Sequence, residues 1–162
     1  MTAAVEIVEE LGGAPDVLAL PYGGGGNTVA YARGFAAAGA GTPRILSVES
    51  SSRADTVASA IRIEQPVHAA EVAASGARIV SVSDELLVEA WRALAQEEGL
   101  FCEPASAAGV AGLLAEPPER GLRVVCVVTG HGLKDPEAAF ELAPPTVVVD
   151  ADPDAVADAL RP

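Results

Sequence analysis

An α/β fold, built on an open, mostly parallel sheet flanked by helices, is the architecture this sequence predicts, and three observations predict it. Apolar runs of strand length alternate with helix-length segments along the whole chain. Those runs are apolar throughout, as strands covered on both faces are, and do not alternate apolar with polar residues. The 16 Gly and 12 Pro fall between the segments as punctuation and form no low-complexity tract. At 162 residues, the chain is read as one domain spanning residues 1–162.

The elements follow in order. Thr2 to Leu11 reads as a helix with Val5, Val8 and Leu11 on one stripe, stopped by Gly12-Gly13. Asp16 to Leu20 is a short apolar strand with Pro21 behind it. Asn27 to Ala38 suits a helix and Arg44 to Val48 the next strand. Ala54 to Ile63 reads as helical, as does His68 to Ala74. Ala77 to Val82 is a strand, after which Ser83 caps a helix reaching about Glu98, with Asp84 and Glu85 in its first turn. Ala105 to Leu114 is a helix of small residues, and Leu122 to Val128 is the most apolar strand. A strand from Thr146 to Val149 and a helix from Pro153 to Leu160 complete the series. The chain opens into a helix with no strand ahead of it, which points to a start partway through a larger unit.

Composition narrows the function classes. Net charge is -13, from 23 acidic against 10 basic residues, and such a surface repels a phosphate backbone, so no nucleic-acid partner is expected. Only 4% of the residues are aromatic, so the core must rest on Ala, Val, Leu and Ile. Cys102 and Cys126 have neither CxxC spacing nor a His cluster beside them, so no metal site is expected. No signal peptide opens the chain, and no apolar run approaches the roughly 20 residues of a membrane span. A cytoplasmic location with no membrane contact follows as the expectation.

Four segments carry possible chemistry. In Pro21-Tyr22-Gly23-Gly24-Gly25-Gly26-Asn27-Thr28, glycines between a buried strand and a helix let several N–H groups converge on an anion at the helix N-terminus. A plain flexible turn is the competing reading, while a Walker loop is disfavoured because no lysine follows. Thr129 ends the most apolar strand in Thr129-Gly130-His131-Gly132-Leu133-Lys134-Asp135, its hydroxyl aimed at the same crevice, and His131 there is more often a bystander than an acid or base. Glu103, in Cys102-Glu103-Pro104-Ala105-Ser106, is either a perturbed acid or part of a tightly packed capping turn. Arg62 lies in an apolar stretch and must pair with an acidic neighbour or bind an anion.

Taken together, TAAVEIVEELG, LALP followed by GGGGN, TVASAIRI, EPASAA and VVCVVTGHGLKDPEAAF resemble the threonine synthases, within the fold type II pyridoxal-phosphate enzymes. The resemblance covers nearly the whole chain and implies the C-terminal half of such an enzyme. It implies a cofactor, pyridoxal 5'-phosphate, whose phosphate is held by Gly23, Gly24, Gly25, Gly26 and Asn27 and whose ring nitrogen is hydrogen-bonded by Thr129. It also implies a lyase of threonine biosynthesis that takes O-phosphohomoserine, an amino-acid phosphate, to threonine and phosphate, with Arg62 as the candidate for the substrate phosphate. The chain departs from the family's pattern at Gly24, at Glu64-Gln65-Pro66 and at His131, where asparagine, Gly-Asn-Pro and asparagine are usual.

That chemistry needs a lysine bound covalently to the cofactor. The chain has one lysine, Lys134, and the resemblance gives it no such role. The expectation is therefore a chain with no catalytic residue of its own, inactive alone, that works with a missing N-terminal half or self-associates as a homo-oligomer. The rivals are a non-catalytic phosphate-binding or oligomerising module derived from the same fold, and an unrelated nucleotide binder of α/β class.

Overall fold

The computed structural model describes residues 2–143 and 146–161. Four strands form one parallel sheet: β1 (Val17–Pro21), β2 (Arg44–Ser50), β3 (Arg78–Val82) and β4 (Val124–Cys126), in the order β3-β2-β1-β4. All five residues of β1 are buried, as a central strand covered on both faces requires. Its register sets Val17 opposite both Arg44 of β2 and Val124 of β4.

Helices α1 (Thr2–Leu11) and α2 (Gly26–Ala38) cover one face, where Ala4, Leu18, Leu20, Phe35 and Ile45 make a buried cluster. Each large apolar side chain buried there contributes about 1.5–3 kcal/mol. Helices α4 (Asp84–Gln96) and α5 (Ala108–Ala115) cover the other, packing Leu87, Trp91 and Leu94 on Val48, Val80 and Val82. The small residues of α5 let it lie close to the sheet: a Cβ at Gly109 would come within 2.7 Å of the Cys126 sulfur and 3.1 Å of the Ala19 carbonyl. Close approach of a bare helix stands in for aromatic bulk. A short helix, α3 (Ala69–Ala74), seats Val72 against Tyr22 and Val29.

Several elements differ from expectation: the strand expected over 122–128 is confined to Val124–Cys126, so Thr129 lies three residues beyond its end, and the helix expected over 105–114 begins as a 3-10 turn, Pro104–Ala107. Residues 54–63 contain only a single 3-10 turn, Ser59–Ile61, in place of a helix. The cause lies in Asp84, at the first turn of α4, which accepts hydrogen bonds from Ser50 Oγ and Thr56 Oγ1 at 2.7 Å and from Val57 N at 2.8 Å. The loop's donors are thereby taken by a side chain from elsewhere, which removes them from any helical ladder. Residues 146–149 are exposed and pair with no strand among the described residues, with Val148 91% exposed, although their β propensity is high. The chain ends in α6 (Pro136–Leu142) and α7 (Pro153–Ala159).

Two connections fix where a ligand can lie. From β1 the chain runs through α2 to β2 on one side, and β4 returns to the other side of β1. The order thus reverses between β1 and β4, which opens a crevice at the carboxyl ends of these two strands.

Candidate functional site

The segment leaving β1 and the segment leaving β4 both enter that crevice. The first is the glycine run. Tyr22 N donates to the Val48 carbonyl at 2.6 Å, and the chain then turns at Gly25, whose φ of +89° is one that L side chains rarely adopt. Space is equally restrictive, since a Cβ at Gly25 would sit 2.9 Å from Val72 Cγ2 and 3.2 Å from His68 Cβ. Helix α2 starts at once, and no side chain caps it. Its leading amides, at Gly26, Asn27 and Thr28, precede the first helical bond, which Val29 N donates to Gly25 O at 3.1 Å. Free N–H groups together with the positive end of the helix dipole make an anion cradle. Behind it, Thr28 Oγ1 and Ser47 Oγ meet at 2.8 Å in the core, fixing the start of α2 to β2.

The second segment carries Thr129. Its hydroxyl lies 2.8 Å from Ser106 Oγ, and Ser106 is fully buried. Ser106 Oγ also accepts from Gly130 N at 2.6 Å and reaches the Gly130 carbonyl at 3.2 Å. A small cleft of about 360 Å³ brings Thr129 together with Asn27, alongside Ala30, Tyr31 and Val128. Asn27 and Thr129, 102 positions apart in sequence, therefore share one opening (129 − 27 = 102).

The other candidates lie differently. Of the residues expected to hold the phosphate only Asn27 lines the cleft holding Thr129; Gly23, Gly24, Gly25 and Gly26 do not. Gly23 and Gly24 are backed by the 60–68 loop, with Ile63 Cδ1 3.2 Å from the Cβ position of Gly23 and His68 N donating to Gly24 O at 3.0 Å. Arg62 donates through Nε and Nη2 to the Thr56 carbonyl at 3.0 and 2.6 Å. The groove beside it is lined by Asp55, Asp135, Glu137 and Glu141, so a phosphate arriving there would meet carboxylates. His131 Nδ1 accepts from Leu133 N at 3.2 Å, and its ring meets that of Phe101 edge-on at 5.5 Å, so it helps shape its own loop. Glu103 is 3% exposed and receives Lys134 Nζ at 2.7 Å. A Cβ at Gly130 would overlap that carboxylate, which makes the glycine a requirement of the ion pair.

Three residues were not singled out in the sequence. Ser106 stands inside the EPASAA segment, but nothing local marks its hydroxyl as bound to Thr129, 23 residues away. Asp84 reads as an acid of the first turn of α4 and turns out to hold a distant loop. Arg53 lies 5.2 Å over the Tyr22 ring beside the glycine run and pairs with Glu49. Among the described residues there is no cluster of His, Cys, Asp or Glu able to hold a metal, and no helix long and apolar enough to cross a membrane.

The amides that open α2 can take an anion, and the hydroxyl of Thr129 adds a neutral polar group at the same opening as Asn27. Residues 1–130 match the family described as pyridoxal-phosphate dependent enzyme. A threonine synthase of Mycobacterium bovis is 43% identical over 98% of this chain and 51% of its own length. A threonine synthase of Halalkalibacterium halodurans is 43% identical over 86% of this chain and 46% of its own length. The chain thus spans about half the length of these relatives. Among solved structures, the processed form of threonine deaminase isoform 2 from Solanum lycopersicum superposes with a TM-score of 0.74 at 19% identity, covering 88% of this chain and 47% of that one, a likeness of fold.

Proposed function

The chain belongs to the pyridoxal-phosphate dependent enzymes, and on that premise we propose that it forms the phosphate- and ring-binding half of a threonine-synthase-like lyase of the cytoplasm. The substrate in this reading is O-phosphohomoserine, and the products are threonine and phosphate. The observation that carries it is the meeting of an uncapped, glycine-entered helix with Thr129 at one switch point. The 43% identity to threonine synthases supports this choice of substrate.

Pyridoxal phosphate, when bound, supplies an electron sink for bond cleavage at the substrate's amino-acid carbons. Each part of the chain has a task around it. The amides of Gly26, Asn27 and Thr28 and the dipole of α2 hold the phosphate dianion. Gly23 to Gly25 let the backbone approach without Cβ obstruction. Thr129 presents a hydroxyl to the ring nitrogen and, being neutral, leaves that nitrogen unprotonated, which makes for a weaker sink than a carboxylate partner gives. Arg62 serves as a clamp on the Thr56 carbonyl and holds the 56–62 loop, and the carboxylates around it make it a poor phosphate ligand.

Covalent catalysis needs a lysine facing the cofactor. Lys134 is tied to the buried Glu103, so in this reading the working lysine is not among these 162 residues. The place for the lysine-bearing part is the edge of β4, which among the described residues pairs with β1 alone and is only half buried. Mixing the chain with a polypeptide equivalent to the rest of a threonine synthase tests the proposal by phosphate release from O-phosphohomoserine. Release by the mixture and none by the chain alone is the expected result. Failure of the mixture while pyridoxal phosphate still binds would favour a non-catalytic module.

A further inference from the structure

Ser106 is fully buried, yet its hydroxyl is turned toward the crevice and not toward its own helix. A serine hydroxyl has one proton and two acceptor sites. One acceptor site is committed, because Gly130 N–H donates to it at 2.6 Å. The remaining proton and acceptor site are divided between Thr129 Oγ1 at 2.8 Å and the Gly130 carbonyl at 3.2 Å.

Only two arrangements satisfy that geometry. In the first, Ser106 donates to the Gly130 carbonyl and Thr129 donates to Ser106, so Thr129 faces the cleft with lone pairs. In the second, Ser106 donates to Thr129, and the Thr129 proton is free to point into the cleft. Changing from the first to the second costs the Gly130 carbonyl little, since Glu103 N already donates to it at 3.0 Å. The 2.8 Å bond between Ser106 and Thr129 is kept with its direction reversed, and only the longer 3.2 Å contact to the Gly130 carbonyl is given up.

We infer that Ser106 is the positioning residue that makes Thr129 a hydrogen-bond donor: by donating to Thr129 Oγ1, it releases the Thr129 proton toward an unprotonated ring nitrogen. Ser106 touches neither cofactor nor substrate and acts through Thr129. This inference rests on the cofactor reading above and assigns the proton within it. It also gives a physical reason for a serine at a position otherwise surrounded by alanine, where an alanine would pack equally well but leave Thr129 free to rotate and Gly130 N–H without its partner.

The test compares two ligands that differ in one atom. The full chain is titrated with pyridoxine phosphate and with the same compound carrying carbon in place of the ring nitrogen. Wild type should bind the nitrogen compound more tightly. Ser106→Ala should weaken the nitrogen compound by about five- to tenfold, the effect of one neutral hydrogen bond, and leave the carbon compound within about twofold. An equal loss for both compounds would reduce Ser106 to packing and overturn the inference while leaving the phosphate cradle intact. Failure of wild type to bind either compound would overturn the cradle reading and this inference with it. Should Ser106→Ala not fold, nitrogen NMR of ring-labelled pyridoxine phosphate on wild type decides: a hydrogen-bonded, unprotonated nitrogen supports the donor arrangement, and a pyridinium signal overturns it.

Discussion

Gly25 is the residue of the glycine run whose backbone and surroundings both demand glycine. Its φ of +89° and the 2.9 Å separation of a Cβ from Val72 exclude a side chain on two independent grounds. Gly25→Ala should cost about 1–3 kcal/mol through backbone strain alone, read as a lower midpoint in urea, and should weaken pyridoxal-phosphate binding more than Gly24→Ala, where only Ile63 lies near at 3.8 Å. Equal effects at the two positions would show that the turn adapts. Cys126 makes a second prediction. Burial pushes its thiol up to about 12 from an ordinary value of 9.0, with the thiol of Cys102 adding to the rise. A pKa raised in the folded state gives stability that is whole below pH 9 and lost as pH climbs toward 12. The melting temperature of wild type should therefore fall more steeply between pH 9 and pH 11 than that of Cys126→Ala, and parallel slopes would contradict the assignment. The identity of these residues was plain in the sequence. What was hidden was the individual geometry, since four adjacent glycines look alike until the chain shows which of them turns.

The connection between β2 and α3 is where sequence and structure part most clearly among the elements. Ala54 to Ile63 has helical composition, yet Asp84 draws Ser50, Thr56 and Val57 to one carboxylate and leaves only a 3-10 turn. Local propensity lost to a tertiary acceptor 27 residues beyond Val57, a competition no window of the sequence displays. Asp84→Asn converts one acceptor oxygen to a donor facing those N–H and O–H groups. It should cost about 1–3 kcal/mol and speed trypsin cleavage after Arg53 and Arg62 while α4, with Trp91 in the core, remains folded. Unchanged proteolysis would mean the loop holds without that carboxylate. By contrast α1, β1, α2, α3, β3 and α4 were legible within one or two residues, because apolar periodicity and glycine or serine boundaries agree there. The stretch from Thr146 to Val149 has the residues of a strand but no partner among the described residues, and a strand is defined by its pairing.

At the scale of the whole molecule, the order β3-β2-β1-β4 makes the site. The alternation of apolar runs foretold a parallel sheet, but nothing in a run of residues says that β4 returns beside β1. That one adjacency brings Thr129 to Asn27 and creates the crevice, anticipated by the place of Thr129 after an apolar strand and by the ordered resemblance of the separated segments to a known family. The same view explains the division of labour proposed above: a phosphate cradle, a neutral ring partner, and a lysine held by Glu103. Borohydride reduction in the presence of pyridoxal phosphate, followed by peptide mapping, tests that division most directly. The chain alone should retain the cofactor in a form released by denaturation, with Lys134 unmodified, and addition of the lysine-bearing polypeptide should place the reduced cofactor on a lysine of that polypeptide. A stoichiometric reduced adduct on Lys134 would contradict the account.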